Sequence, residues 1–305
     1  MEKLVRDLLQ YISVRKLKKT FGILLALVCV WLLWRRISYQ EKLESAITCK
    51  SKIAGIVFPK IKDKQKYLSS FQQRDVITME EEYYHAVQTL MRSCYTMVHV
   101  GPSEDGGWEV CLDPQFDIKP PCLIYSFGIG NDFRFEKGIE ELLKCEVHAF
   151  DPSEDTVTIR GQWKMRKLSS IMRQLGHEGR TIDYLKMDVE FSEWPALVNM
   201  IRSGSINNIR QMALEVHTPE MDIHHRPDHK CTWSTPETIS FMVKTLFDLT
   251  NAGFSMYYSR TNYRTPYISP YSGKQRYCCY DIHLVNTKHK ENQHRELNQR
   301  PLHRH

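Results

Sequence analysis

The sequence predicts an α/β fold with a mostly parallel sheet, on three observations. Leu123 to Phe127 and Ile182 to Met187 are short apolar runs of the kind a strand buried on both faces requires. Helical stretches follow them, Phe133 to Lys144 and Glu193 to Arg202, the latter stopped by Gly204. Strands alternating with helices imply a parallel sheet covered on both faces.

Taken in order, the chain opens with a basic segment, residues 1–20, and then the uncharged run FGILLALVCVWLLW from Phe21 to Trp34. That run is shorter than the roughly 20 residues of a usual membrane span. Thr20, Ile37 and the snorkelling stems of Lys18, Lys19, Arg35 and Arg36 lengthen it. No small-x-small cleavage site follows, so residues 21–37 are expected to form an uncleaved signal-anchor. The basic flank places the N-terminus in the cytosol. The expected protein is thus a single-pass type II membrane protein of the Golgi or endoplasmic reticulum, with its body luminal. A short span suits the thinner early-secretory membranes.

Residues 38–75 form a lysine-rich stem, and residues 76–286 the folded domain. Thr78-x-x-Glu81 reads as a capping box opening a helix whose face carries Tyr84, Val87, Met91 and Cys94. Met97 to Val100 and Trp108 to Leu112 suggest a hairpin covering the domain's entrance. Trp163 to Leu175 suggests a basic helix closed by Gly176, its charges an exposed face. Gln211 to Val216, Phe254 to Ser259 and Tyr277 to Val285 are further strands. Thr235 caps a helix that has Pro236 at its first position and runs to Ala252. The polar tail, residues 287–305, is expected to be disordered.

The net charge of +6 is modest and owes much to the two ends, so no nucleic acid partner is expected. Of 9 cysteines, Cys29 lies in the span. The others, Cys49, Cys94, Cys111, Cys122, Cys145, Cys231, Cys278 and Cys279, are compatible with an oxidising lumen, and their pairing is open.

The chain is organised around Cys122 to Ser153, which reads as strand, glycine turn, helix, strand and acid. Gly128-Ile129-Gly130 lets the backbone turn and approach a ligand. Asn131 or Asp132 can cap the following helix. Asp151 stands just past the strand Glu146 to Phe150, where ligands of open α/β sheets bind and where an acid can accept bonds from ribose hydroxyls. An adenosine-containing ligand follows. The run G-I-G-N-D-F lacks the third glycine of a dinucleotide site, which favours S-adenosylmethionine over NAD.

Methyl transfer from a sulfonium needs an acceptor held in line and, for a hydroxyl, a group that takes its proton. Asp188, Glu190, Glu215 and His217 lie at or just past strand ends, and Asp188 has the strongest position. His217, His224, His225, His229 and Cys231 crowd a proline-bearing loop without ligand spacing, so no metal is expected. A Golgi glycosyltransferase shares the membrane layout, but Asp188-Val189-Glu190 is not the Asp-x-Asp of such enzymes.

SFGIGNDFRFE, EVHAFDPS, KLSSIM, YLKMDVEFSEW and DIHLVN resemble, in order, segments of the methyltransferase-like protein 24 group. That group is related to the FkbM-type methyltransferases. The resemblance runs from about Tyr84 to Asn286. It implies a Rossmann-like class I methyltransferase sheet that binds S-adenosylmethionine and methylates an acceptor, here of unknown identity, on oxygen or nitrogen. Carried over, Phe127, Gly128, Gly130, Asn131 and Asp132 surround the methionine part, Asp151 holds the ribose and Asp188 lies near methyl transfer. Two departures stand out. The chain between Asp151 and Ile182 is too short for the expected helix, third strand and helix, so the sheet is expected to be abbreviated there. Phe191 also stands where the family pattern has glycine. Both favour an alternative, a catalytically inactive binding module or isoform.

Overall fold

The computed structural model describes residues 75–103, 105–151, 166–221 and 234–289. The chain divides into two units, residues 1–50 and 51–305, and every described residue belongs to the second. The expected anchor, the expected stem up to residue 74, His224, His225, His229, Cys231 and residues 290–305 lie outside the described residues. Among those described, no helix is long and apolar enough to cross a membrane.

A helix, α1 (Val76–Gln88), precedes a two-stranded hairpin of β1 (Met97–Val100) and β2 (Trp108–Cys111). The main sheet then begins with β3 (Leu123–Phe127), α2 (Arg134–Leu143) and β4 (Glu146–Phe150). A short α3 (Leu168–Gln174), β5 (Ile182–Met187), α4 (Glu193–Ser203) and β6 (Ile209–His217) follow. The fold closes with α5 (Pro236–Asn251), β7 (Phe254–Ile268) and β8 (Gln275–Asn286). Sheet order is β4-β3-β5-β6-β8-β7. Strands β3 to β6 run parallel, and β8 is antiparallel to both β6 and β7. The sheet is therefore mixed, mostly parallel on the side that carries the glycine turn.

Burial explains the layering. Every residue of β5 and β6 is buried, because helices or the hairpin cover both faces. Trp194, Leu197, Tyr83, Phe241 and Leu249 pack one face, from α4, α1 and α5. Phe135 and Ile139 of α2, with Trp108 and Val110 of the hairpin, pack the other. The hairpin is fastened there because the Glu109 carbonyl accepts from the Tyr184 and Tyr257 hydroxyls, both at 2.9 Å. It thus lies against a sheet face. By contrast, β4 is partly exposed along its length and forms the sheet's edge among the described residues.

Several boundaries move for local reasons. Asp75, not Thr78, caps α1: its carboxylate accepts from the Ile77 and Thr78 amides at 3.1 and 2.9 Å. The helix ends at Gln88, so Met91 and Cys94 leave its face. The Met91 amide instead donates to the Met256 carbonyl, and Cys94 is bridged to Cys111. Helix α3 begins at Leu168, after an extended Lys167. Strands β7 and β8 outrun the expected segments because they pair with each other as a long hairpin. Past β8, the Thr287 amide donates to the Gly253 carbonyl at 2.9 Å, so the first residues of the expected tail pack back on the domain.

Candidate functional site

The glycine turn is held from both sides. The Gly128 amide donates to the Phe150 carbonyl of β4 at 2.9 Å, and the Asp188 amide to the Phe127 carbonyl at 3.0 Å. Gly128 has φ +78, and a Cβ there would stand 1.5 Å from the Asp188 carbonyl oxygen, so only glycine fits. Among the described residues, Gly130, at φ +58, has no atom within 4 Å of its would-be Cβ. Asn131 follows at φ 63, a conformation asparagine adopts more readily than most residues. Phe127 stacks on Phe150 with ring centroids 4.7 Å apart.

Asp151, expected to hold a ribose, is bonded to the backbone of the glycine turn. Its Oδ2 accepts from the Ile129 and Gly130 amides, both at 2.8 Å, so it closes the glycine turn. Asp132 is not the residue at the α2 cap position, which is Phe133. Its Oδ1 still accepts from the Arg134 amide at 3.1 Å, and its carboxylate binds the Arg134 guanidinium. Those bonds hold the Asp132 carboxyl down at about 2.

The neighbouring strand ends bring acids together. Met187 of β5 is in register with Leu214 of β6, so Asp188 and Glu215 emerge side by side. His217 ends β6, buried, its carbonyl accepting from the Trp194 indole at 2.7 Å. Its Nε2 has Glu190 at 3.7 Å, Glu215 at 3.8 Å and Asp188 at 4.0 Å. Its Nδ1 lies 3.1 Å from Glu193 Oε1, which also accepts from the Val189 amide at 2.7 Å. The Asn262 amide donates to Glu215 Oε1 at 2.9 Å. Burial, and then the Glu215 carboxylate, push the Asp188 carboxyl well above the usual range. Burial alone would lower the His217 imidazole, but Glu193, then Glu215 and Asp188, outweigh it and hold it well above its ordinary value. Lys186 beneath them donates to the Gly128 carbonyl and so ties this cluster to the glycine turn.

Phe191 follows Asp188 in a turn where Glu190 and Phe191 both have positive φ, 51 and 72. The position that the family pattern gives to glycine is thus left-handed here, and the ring is buried in the main core. Glu193 is the residue that sequence reasoning passed over as a helix start. The signal was present in the spacing of Asp188, Glu190 and Glu193, opposite Glu215-x-His217 on the next strand.

A glycine turn closed by an acid, beside an acid-lined strand end on a mostly parallel sheet, defines a methyltransferase-type α/β domain. Residues 57–158 and 153–264 match the family described as "Methyltransferase domain", and the chain belongs to that family. The two matched stretches overlap at residues 153–158, just after Asp151. The chain is similar to "Probable methyltransferase-like protein 24" of Homo sapiens, 29% identical over 217 residues, which is 60% of this chain and 56% of that protein. Its likeness to the Rattus norvegicus protein of the same description is 26% over 253 residues, covering 69% and 67%. The chain thus spans between a little over half and two thirds of these relatives. A solved structure, "Structure of the plantazolicin methyltransferase BpumL in complex with SAH", aligns over 83% of this chain and 99% of that one. At 8% identity and a TM-score of 0.28 that likeness carries no weight here.

Proposed function

We propose that the chain binds S-adenosylmethionine at the carboxyl edge of β3, β4 and β5 and methylates an oxygen or nitrogen of its acceptor. The observation that carries this is the turn at Gly130, uncrowded among the described residues and fastened by Asp151. The residues fit the methionine and ribose ends of the cofactor: Phe127, Gly128, Gly130, Asn131 and Asp132 line the former, and Asp151 reaches the latter. When bound, the cofactor supplies a sulfonium methyl group for in-line displacement. Asp188, which leaves the end of β5 beside the glycine turn, is placed to receive a proton from a hydroxyl acceptor.

The domain is proposed to be luminal, behind a signal-anchor at residues 21–37. Disulfides Cys94–Cys111 and Cys122–Cys145 support an oxidising compartment. A second reading, cofactor binding without turnover, is favoured by Phe191, which takes a left-handed backbone in the turn after Asp188 where the family pattern has glycine.

Calorimetric titration of S-adenosylmethionine and S-adenosylhomocysteine into the detergent-solubilised full chain tests the cofactor site. Micromolar binding, weakened at least tenfold in Asp151→Ala, is expected; a folded chain that binds neither ligand would refute it. Turnover on candidate acceptors then separates the two readings. Protection of a C-terminal tag from protease in sealed microsomes tests the orientation, and complete digestion there would overturn it.

A further inference from the structure

We infer that Asp188, Glu190, Glu215 and His217 form a binding site for a divalent cation of the manganese type. Three features of the cluster carry this. The first is spacing. The three carboxylates stand 3.7 to 4.0 Å from His217 Nε2, beyond hydrogen-bond length. Ligands at about 2.0 to 2.2 Å from one ion are separated by distances of this order. The ligating atoms of Asp188, Glu190 and His217 lie within 4.8 Å of one another.

The second is the support behind the ligands. A metal-binding histidine usually donates its other ring nitrogen to a carboxylate, and His217 Nδ1 has Glu193 Oε1 at 3.1 Å. Glu215 is likewise oriented by Asn262, which bonds Oε1, while Oε2 faces His217.

The third is independent of the ligand geometry. Glu193 is fully buried, and its Oε2 has no hydrogen-bond partner. A buried carboxylate oxygen left so is costly unless positive charge lies near. Lys186 is engaged by the Gly128 carbonyl, and the positive charge within reach of Glu193 is that of His217 when protonated, 3.1 Å from Oε1; a cation at Nε2 would take the place of that proton. Four carboxylates therefore surround one imidazole.

A second histidine cluster sharpens the contrast. Glu146, His148 and His177 also come within ligand range of one another. There, however, the Glu146 carboxylate is bonded to His148 at 2.8 Å and to the Arg180 guanidinium at 2.8 Å, which occupies the place of a cation. Among the carboxylates around His217, access comes from the solvent side, where the Glu190 side chain is 59% exposed. Cys279 adjoins Glu215 and His217, but it is bridged to Cys278, and a disulfide sulfur is a poor ligand. Three oxygens and one imidazole make a mostly hard donor set, which suits Mn2+ or Mg2+ better than a thiolate-seeking metal. The site does not depend on cofactor binding. It does alter the reading above: with an ion in place, Asp188 becomes a ligand, and the ion lowers the pKa of an acceptor hydroxyl.

Mn2+ itself is the probe. Titrated into the detergent-solubilised full chain without cofactor, it should lose its free-ion paramagnetic resonance signal at one equivalent, with a dissociation constant at or below about 100 μM. Bound Mn2+ should show nitrogen coupling from one imidazole. Glu190→Gln, an exposed change that spares the fold, should weaken binding at least tenfold, and His217→Gln should also remove the nitrogen coupling. Failure of the wild-type chain to bind Mn2+ up to 1 mM overturns the inference, as does binding unchanged in Glu190→Gln. Because no methyl donor is present, a negative result here leaves the cofactor titration to stand or fall separately.

Discussion

After β3 the chain enters left-handed backbone at Gly128, Gly130 and Asn131; after β5 it does so at Glu190 and Phe191. The two turns touch, since the Asp188 carbonyl lies against Gly128. The first uses residues to which positive φ costs little. The second uses two that it disfavours by roughly 1–2 kcal/mol each. What sustains the second is packing: Phe191 is only 8% exposed. Burial of a phenylalanine is worth about 1.5–3 kcal/mol, enough to outweigh its own backbone cost. Glycine is thus demanded at Gly128 by contact, and replaced at position 191 by a side chain that contributes to the core.

The difference can be broken most severely at Gly128→Ala. Its Cβ would enter the Asp188 carbonyl, and a loss of about 5 kcal/mol in urea unfolding is expected, enough to leave little folded protein. Phe191→Ala comes next, at about 3 kcal/mol, because it empties a core position while keeping the left-handed backbone. Phe191→Gly should be more stable than Phe191→Ala by about 1 kcal/mol, the reverse of the usual order; equal stabilities would show that the backbone there is unstrained. Gly130→Ala should cost roughly 1 kcal/mol, since no described residue crowds it, and its larger effect should be on S-adenosylmethionine affinity. Asn131→Gly is the smallest change, a gain of at most about 0.5 kcal/mol in the melting of the protein.

Where the pattern was periodic or buried, the sequence was legible. Strands β3, β4 and β5 fall at the expected residues because apolar runs bounded by Gly128, Asp151 and Asp188 admit little else. Gly204 and Thr235 mark helix ends by local chemistry, and they do so in the structure. Thr78 misled because Asp75, outside the motif, was the better acceptor. The histidine and acids around His217 were visible one at a time. Their meeting depended on the register of β5 with β6, which no local pattern encodes. Glu193 was hidden for the same reason: its partner is 24 residues away.

The bridge between Cys122 and Cys145 joins the residues just before β3 and β4, at the end away from the glycine turn. By loop closure alone it is worth roughly 3 kcal/mol. It also gives the edge strand a hinge. Pinned at its Glu146 end, β4 can peel from β3 only from the Phe150 end, like a door hung on one side. The opposite side carries Asp151, whose bonds to the Ile129 and Gly130 amides act as its latch.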